Sequence, residues 1–437
     1  MYRLLVHPAG RYLMKENGEP FFWLGDTAWE LLHRCSKEQI EMYLENRRAK
    51  GFNLIQTVVL AELDGLRDPN VYGDLPLVDD DPTQPNEAYF SLVDFTIETA
   101  RQKGLYIGLL PTWGDKVTKL WGAGPVVFDE ENAFIYGRWL AQRYHSVVNV
   151  IWILGGDRPP LQDGSDWRPV WRTMAAGIRD VLGESALITY HTSGSRDLEQ
   201  GARAIHAEEW SDMVMIQSGH GAAEVPTWQE ISTLYQLEPP KPVIDSEICY
   251  EDHAVAPWPQ WDPANGYFRD YEVRKQMYRS VFAGAFGVTY GHHHVWQMWD
   301  HGRQVNNNGF ELRPWYDALD RPAAFQVKHL VNLMGSHACF TRMPDQSMIL
   351  SEAGEGGSHM RATRDSQGQY AMVYIPQAQQ KVMLDMSSVN KPYCLSWFDP
   401  RTGHKHVIQD HQDADTIEMT TPVNGPDWVL LVECNQA

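Results

Sequence analysis

The chain has 437 residues, 43% of them hydrophobic, which is enough for one large domain together with a small one. Acidic residues outnumber basic residues by 57 to 37, and the formal net charge is −20. A surface of that sign repels nucleic acid and anionic membranes, so the composition argues against both as partners, although the same acidity also serves plain solubility.

The N-terminal segment and the cysteines bear on the cellular compartment of the protein. The apolar run within residues 1–8 is too short for the core of a secretory signal peptide, and no small-residue cleavage site follows it. No stretch approaches the ~18 apolar residues of a membrane span. The five cysteines are odd in number and include no C-x-x-C pair, which argues against a disulfide framework and a structural zinc site. Reduced thiols in a cytoplasmic protein fit best.

A short hairpin at 10–20 is followed by a regular alternation of strand-like and helical segments. The first helix is marked by a capping box, with Ser36 as the cap and Gln39 at the third helical position, and Gly51 ends it. Eight apolar runs are predicted as strands, at 21–25, 52–60, 105–110, 147–154, 186–190, 213–216, 242–246 and 287–290. The other helices are predicted at 85–104, 132–145, 167–182, 195–204, 225–237, 271–286 and 322–334.

Continuous apolar strands separated by amphipathic helices are typical of a parallel sheet buried on both faces. Eight such units are what a closed (β/α)8 TIM barrel of the α/β class requires, and the barrel is assigned to residues 1–340 with the hairpin at its start. The fifth unit is the weakest. A doubly wound open sheet is the alternative, but no glycine-rich phosphate loop follows the first strand, which argues against its nucleotide-binding form.

After residue 340 the pattern changes to short strands separated by turns. The predicted strands lie at 361–363, 370–375, 381–384, 393–398, 404–408 and 428–432. With no long helix among them, they predict a small antiparallel β-sandwich over 341–437. No low-complexity linker precedes it, so we expect it to pack against the barrel.

Polar and aromatic side chains concentrate where the predicted barrel strands end, and barrel enzymes carry their active residues there. Any one of these residues could be a local cap or loop residue, but their number favours a shared site. The residues are Asp26, Glu62, Trp113, Asp115, Asp157, Arg158, His191, Gln217, Glu247 and His292 to His294.

Asp157 is the first catalytic candidate. It follows an apolar strand and two glycines, which allow a sharp turn and a close approach to a ligand. Asp157 could instead cap the next helix or pair only with Arg158. Two prolines directly after Arg158 argue against an immediate helix start and so against capping.

Glu247 is the second catalytic candidate, at the end of the seventh strand. A glutamate there costs several kcal/mol unless it is paired or solvated in a cleft. Asp245 faces the same way if the strand is regular and could support it. Glu251 is a rival further into the loop, and Glu247 could also bond only to neighbouring loop backbone.

Two carboxylates on the fourth and seventh strands suit glycosidic cleavage, in which one donates a proton to the leaving oxygen and the other attacks the anomeric carbon as a nucleophile. A separation of roughly 5–5.5 Å gives retention and a wider one gives inversion, a choice that the residues leave open. The 17 tryptophans and 19 tyrosines also favour a carbohydrate site, because their rings stack on the apolar faces of sugars.

The run His292 to His294 raises the alternative of a metal site. Successive residues on an extended segment point in opposite directions, so the three cannot easily bind one ion, and no His-Glu-x-x-His motif occurs. We therefore expect no metal and no cofactor. His292 and His294 are instead candidates for sugar hydroxyls, with Trp296 or Trp299 as a stacking platform.

Four segments resemble the apiosidase-like glycoside hydrolases, barrel enzymes with a small C-terminal domain sometimes labelled collagen-binding-like. They are FWLGDTAW at 22–29, GFN at 51–53, WILGGDR at 152–158 and GAFGVTYGH at 284–292. The resemblance covers nearly the whole chain and adds Trp29 to the candidate substrate contacts. It implies that Asp157 is the acid/base and Glu247 the nucleophile of a retaining reaction.

Characterised relatives release the branched pentose apiose from plant pectin side chains, and many are exported. The expected function is therefore a retaining exo-glycosidase that removes a small terminal sugar, with apiose favoured, from an oligosaccharide or glycoside. The alternatives are a non-catalytic carbohydrate-binding barrel and a metal-dependent hydrolase. The residues leave the oligomeric state open.

Overall fold

The computed structural model describes residues 1–194, 197–258, 260–303 and 313–434. Eight parallel strands form its central sheet: β1 (Trp23–Thr27), β2 (Leu54–Leu60), β3 (Tyr106–Thr112), β4 (Val150–Gly155), β5 (Ile188–His191), β6 (Val214–Ile216), β7 (Val243–Asp245) and β8 (Gly287–Tyr290). They pair in the order β5-β4-β3-β2-β1-β8-β7-β6.

The two ends of this sheet meet, which closes the barrel. The amide of Asp212, ahead of β6, donates to the carbonyl oxygen of Ile188 in β5 over 2.8 Å. The Thr189 hydroxyl donates to the carbonyl oxygen of Met213 over 2.8 Å. The predicted (β/α)8 barrel is confirmed, and the open doubly wound alternative is wrong.

The barrel strands are buried because helices cover their outer faces and side chains fill the interior. Every residue of β2 and β3 is buried, as expected for a parallel sheet covered on both faces. The α-helices are Leu31–Arg34, Lys37–Ala49, Glu87–Gln102, Glu130–Arg143, Arg168–Leu182, Ala202–His206, Thr227–Tyr235, Asp270–Phe282, His293–Trp296, Trp315–Ala318 and Pro322–Gly335. Short 3-10 turns lie at Gly114–Lys116, Gly183–Ser185, Pro263–Asn265, Gln346–Met348 and Gly356–Ser358.

The capping box predicted at Ser36 is present. The Gln39 amide donates to the Ser36 hydroxyl over 3.4 Å, and the Ser36 amide donates to the Gln39 side chain over 2.8 Å. The predicted helix at 195–204 is reduced to Ala202–His206, and residues 195–196 lie outside the described residues. Strand β3 runs two residues further than predicted, through Pro111 to Thr112.

The C-terminal residues form two antiparallel sheets, as the sequence predicts. The larger sheet pairs Arg342–Pro344, Arg361–Asp365, Tyr370–Ile375, Trp428–Cys434, Tyr393–Phe398 and Lys405–Gln412 in that order. The smaller sheet pairs Lys381–Asp385 with Thr416–Thr420. An apolar core that includes Val373, Leu384 and Leu430 lies between them.

The β-sandwich packs against the barrel helix Asp270–Phe282. Tyr278 of this helix stacks on Tyr374, with ring centroids 5.1 Å apart and an interplanar angle of 18°. The guanidinium of Arg274 forms a buried ion pair with Asp427 at 2.8 Å. The contact joins the apolar cores of the two parts of the chain.

The N-terminal segment forms a three-stranded antiparallel sheet, Leu4–Val6, Leu13–Lys15 and Pro20–Phe21, which contains the predicted hairpin. Its Leu4, Leu13 and Phe21 side chains belong to the apolar cluster that fills the barrel interior. Among the described residues, no helix is long and apolar enough to cross a membrane.

Candidate active site

The carboxyl-terminal ends of the barrel strands surround a cavity of about 710 Å³. This volume lies within the roughly 300–1,000 Å³ of small-molecule sites. Both predicted catalytic carboxylates, Asp157 and Glu247, line it. Five of the predicted substrate contacts also line it: Trp29, Glu62, Trp113, Gln217 and Trp296.

The turn after β4 brings Asp157 to the cavity through three consecutive left-handed residues. Their φ angles are 84° at Gly155, 112° at Gly156 and 52° at Asp157. The glycines are also required for space. A Cβ on Gly155 would lie 2.4 Å from the His191 carbonyl oxygen, and one on Gly156 would lie 2.8 Å from the Gly114 nitrogen. A non-glycine residue such as Asp157 carries roughly 1–3 kcal/mol of strain in this region, a cost concentrated at functional sites.

The carboxyl of Asp157 is held between an indole and a guanidinium. Trp121 donates its Nε1–H to Oδ2 over 3.2 Å, and Nη1 of Arg158 lies 3.4 Å from the same oxygen. The side chain stays 24% exposed. Burial raises the pKa of Asp157 to about 6 despite the opposing charge of Arg158, and the charge of Glu247 adds to the rise. Asp157 can therefore hold a proton at mildly acidic pH.

The carboxyl of Glu247 is buried and meets three side chains, one from the end of β5 and two from the loop after β6. Gln217 donates to Oε1 over 2.5 Å, and Nε2 of His220 lies 3.3 Å from the same oxygen. Nε2 of His191 lies 3.3 Å from Oε2. Burial acts to raise the pKa of Glu247, but hydrogen bonds from His191 and His220 outweigh it and hold the pKa well below its ordinary value. Glu247 is therefore ionised.

The backbone fixes the tautomer of His220. The amide of Tyr250 donates to Nδ1 over 3.2 Å, so the ring hydrogen of a neutral imidazole belongs on Nε2. That hydrogen then points to Glu247. His220 lies in the loop after β6 and Tyr250 three residues beyond Glu247, so two loops fix one carboxylate.

Residues 7–341 match the family model described as the apiosidase-like catalytic domain. The chain belongs to the apiosidase-like family. Residues 343–433 match a second model, which is named for the collagen-binding domain of a collagenase. No protein of curated function matches this chain.

Solved structures agree with the family match. One of them, a protein named only as a glycoside hydrolase, is 31% identical, with a TM-score of 0.88, and the match covers 99% of this chain and 97% of that one. A glycoside hydrolase family 5 protein from Bacteroides vulgatus ATCC 8482 is also 31% identical, with a TM-score of 0.88 and coverages of 99% and 93%. The endo-β-1,4-mannanase from Thermotoga petrophila, 13% identical with a TM-score of 0.50 over 95% of each chain, shares the fold alone. This apiosidase-like protein is a glycoside hydrolase.

Aromatic rings form much of the wall of the apiosidase-like cavity. Trp29 packs against Trp113 and His191, with its ring centroid 5.2 Å from each. Trp121 and Trp258 also line the cavity, and each is 57% exposed. Strand-end reasoning missed these two residues because both lie inside loops. The glycines after Trp121 are the one signal in the sequence that could have indicated it.

Outside the histidine run, four predicted contacts do not line the cavity because partners bury them: Asp26, Asp115, Arg158 and His191, the last packed against Glu247 and Trp29. Asp26 accepts hydrogen bonds from Arg47 and Tyr43, both at 2.5 Å. Asp115 accepts from the Gly124 amide at 2.8 Å. Arg158 is fully buried beside Asp157. These side chains support the walls of the site rather than its surface.

The histidine run also lies behind the cavity. Nε2 of His292 lies 3.2 Å from Oδ2 of Asp252, and the His294 amide donates to Nδ1 of His292 over 3.1 Å. Burial lowers the pKa of His294 to about 3. Neither His292 nor His294 lines the cavity, and within the described ranges no three His, Cys, Asp or Glu side chains are grouped to hold a metal ion.

Asp245 and Glu251, the other carboxylates near Glu247, are engaged in the scaffold. Asp245 accepts from the Ser280 hydroxyl at 2.8 Å. Glu251 accepts from the Tyr290 hydroxyl at 2.7 Å and from the Ala323 amide at 3.1 Å. Asp245 therefore ties β7 to a barrel helix, and Glu251 ties the following loop to β8.

Proposed function

We propose that this protein is a retaining exo-glycoside hydrolase with Asp157 as acid/base and Glu247 as nucleophile. The observation that carries the proposal is that two carboxyl groups in one cavity have different surroundings. Burial raises the pKa of Asp157 to about 6, so it holds a proton at mildly acidic pH, whereas His191 and His220 keep the pKa of Glu247 low and this group ionised. Titratable pairs whose environments push their pKa values apart are how enzymes divide acid and base roles.

In the first step the Glu247 carboxylate attacks the anomeric carbon while Asp157 gives its proton to the leaving oxygen, and the glycosidic bond breaks. A glycosyl ester on Glu247 results. In the second step the Asp157 carboxylate takes a proton from water, the resulting oxygen attacks the anomeric carbon, and Glu247 leaves as a carboxylate. Two inversions give net retention. A binding module needs neither carboxylate, which argues against the non-catalytic alternative.

The favoured substrate is a small terminal sugar such as apiose. The apiosidase-like family match supports this choice, and Trp29 and Trp113 offer rings for its apolar face. Burial and then the charge of Asp157 raise the pKa of Glu62 well above its ordinary value. A protonated Glu62 is suited to donate a hydrogen bond to a sugar hydroxyl.

The test is hydrolysis of a panel of aryl pentosides and hexosides that includes an apioside, with proton NMR recording the anomer first released. We expect Asp157→Ala and Glu247→Ala to lose turnover by at least about 100-fold with the fold intact. Glu251→Gln, a change in a carboxylate outside the cavity, is the matched control for folding. Release of the inverted anomer would contradict retention, and near-normal turnover by either alanine variant would contradict the assigned roles.

A further inference from the structure

We propose that Trp121 binds the leaving group of the substrate. Its indole N–H donates a hydrogen bond to the proton-donating carboxyl of Asp157, and its exposed face stacks on the departing sugar ring. The inference rests on the proposed function, because it takes Asp157 as the acid/base. It assigns a specificity role to a residue that lies inside a loop and outside the strand-end pattern.

The contact between Trp121 and the acid is direct. Its Nε1–H donates to Oδ2 of Asp157 over 3.2 Å, and Nη1 of Arg158 lies 3.4 Å from that oxygen. In the part of the chain that the structure describes, both donors to this carboxyl therefore address Oδ2. An oxygen that accepts two N–H groups is poorly suited to carry a hydrogen itself, so the transferable proton belongs on Oδ1. The leaving oxygen must approach there, beside the indole.

The indole of Trp121 is available to a ligand on one face. Its other face covers the guanidinium of Arg158, which lies 4.3 Å from the ring centroid. Trp121 lines the cavity and is 57% exposed, so its free face lies at the opening of the cavity. An exposed ring of this size beside a carboxyl acid suits the apolar face of a sugar.

The loop around Trp121 is fixed in place. A Cβ on Gly122 would lie 2.4 Å from the Cβ of Asp115 as well as 2.4 Å from Nη2 of Arg158, so this position must be glycine for the loop to close over the guanidinium. Two residues on, the Gly124 amide donates to Oδ2 of Asp115 over 2.8 Å. The buried ammonium of Lys116 lies 2.8 Å from the other oxygen of Asp115. Asp115 thus serves the site indirectly, by anchoring the loop that presents Trp121.

The leaving group is the part of the substrate that meets this ring. Because Asp157 protonates the oxygen that joins the terminal sugar to the rest of the substrate, that remainder must leave along the Asp157 side of the cavity. A leaving group with a sugar ring can stack on Trp121, and a fluoride ion cannot. Loss of the Trp121 ring should therefore slow cleavage of a substrate with a sugar leaving group more than cleavage of a glycosyl fluoride.

The experiment compares kcat/KM for an apiose-terminated disaccharide and for apiosyl fluoride, or for the same pair of whichever sugar the glycoside panel selects. For Trp121→Ala we expect kcat/KM on the disaccharide to fall by about 5- to 10-fold, which is the effect of losing one stacked ring. On the fluoride we expect kcat/KM to fall by less than about 2-fold. Trp121→Phe keeps a ring but loses the N–H. Its kcat/KM on the disaccharide should stay within about 3-fold of the wild-type value. The upper pH limit of kcat/KM should move upward by about half a unit, because the carboxylate of Asp157 loses a hydrogen bond and its pKa rises.

Trp258→Ala is the matched control, because Trp258 also lines the cavity and is equally exposed, whereas the side-chain donors to Asp157 in the described structure are Trp121 and Arg158. It should leave the upper pH limit in place. Equal losses on the two substrates in Trp121→Ala, or an unmoved pH limit in Trp121→Phe, would overturn the inference. Failure of the proposed function is seen separately, as an Asp157→Ala variant that still cleaves the disaccharide at the wild-type rate.

Discussion

Burial alone would raise the pKa of both Asp157 and Glu247, and the difference between them comes from their neighbours. Asp157 faces one guanidinium and the negative charge of Glu247. Glu247 faces two imidazoles and an amide N–H. The residues that set the chemistry are thus His191, His220 and Gln217 as much as the carboxylates themselves.

This arrangement predicts the pH dependence of the enzyme. The reaction needs Asp157 protonated, so kcat/KM should fall as pH rises through about 6, the pKa of that group. In Glu247→Gln the repelling charge is gone, and the pKa of Asp157 should drop below 6. Carbon NMR titration of the Asp157 carboxyl measures this shift directly. Glu251→Gln should leave the titration unchanged, and an unshifted Asp157 in Glu247→Gln would contradict the coupling.

The element that the site depends on most is the turn after β4. Its shape requires two glycines with positive φ and tolerates one aspartate in the same region. The turn also lies between the ends of β3 and β5, since the Gly156 amide donates to the His191 carbonyl oxygen and the Gly114 amide donates to the Gly156 carbonyl oxygen. A displacement here would move the acid.

A pair of glycine substitutions tests this turn. Gly156→Ala meets the backbone nitrogen of Gly114 at 2.8 Å as well as the left-handed φ of 112°. Gly164→Ala meets nothing within 4 Å at a φ of 84°, so it carries the conformational cost alone, about 1 kcal/mol. We expect a larger fall in Tm for Gly156→Ala and loss of turnover for it alone. Equal effects in thermal unfolding would show that the close packing of the turn does not matter.

Sequence patterns predicted most elements because local signals and burial agree in them. The capping box at Ser36 starts a helix that forms as predicted, and the continuous apolar runs form fully buried strands. The fifth unit was weak in the sequence and is short in the structure, a five-residue helix at Ala202–His206. The strands Arg342–Pro344 and Thr416–Thr420 were not predicted, since both depend on pairing with distant partners.

At the scale of the whole molecule, the β-sandwich is joined to the barrel by a buried ion pair. Arg274 is 2% exposed and Asp427 fully buried, and the Tyr374 hydroxyl also donates to Asp427. Such pairs are costly to break on one side, because a buried charge is left without its partner. The division of the chain at residue 340 and the cytoplasmic location stay predictions.

Asp427→Asn should lower the free energy of unfolding by about 3 kcal/mol, since it leaves Arg274 buried with a weaker partner. Denaturant unfolding followed by circular dichroism measures the change. The control is Asp180→Asn, which breaks the surface pair of Arg138 and Asp180, a 2.9 Å contact about half exposed on each side. This pair should contribute no more than about 1 kcal/mol. A similar small effect at both positions would contradict a role for Asp427 in joining the two parts.

The sequence by itself determined the barrel, the sandwich and the strand ends that carry Asp157 and Glu247, because strand and helix periodicity and turn chemistry are local properties. Only the tertiary structure decided which polar residues reach the cavity. Asp26 lies near the end of β1 and Asp115 lies just after β3, yet burial and nearby donors turn both into supports. Trp121 and His220 enter the site because loops from different strands converge above the barrel, and no local pattern encodes that convergence.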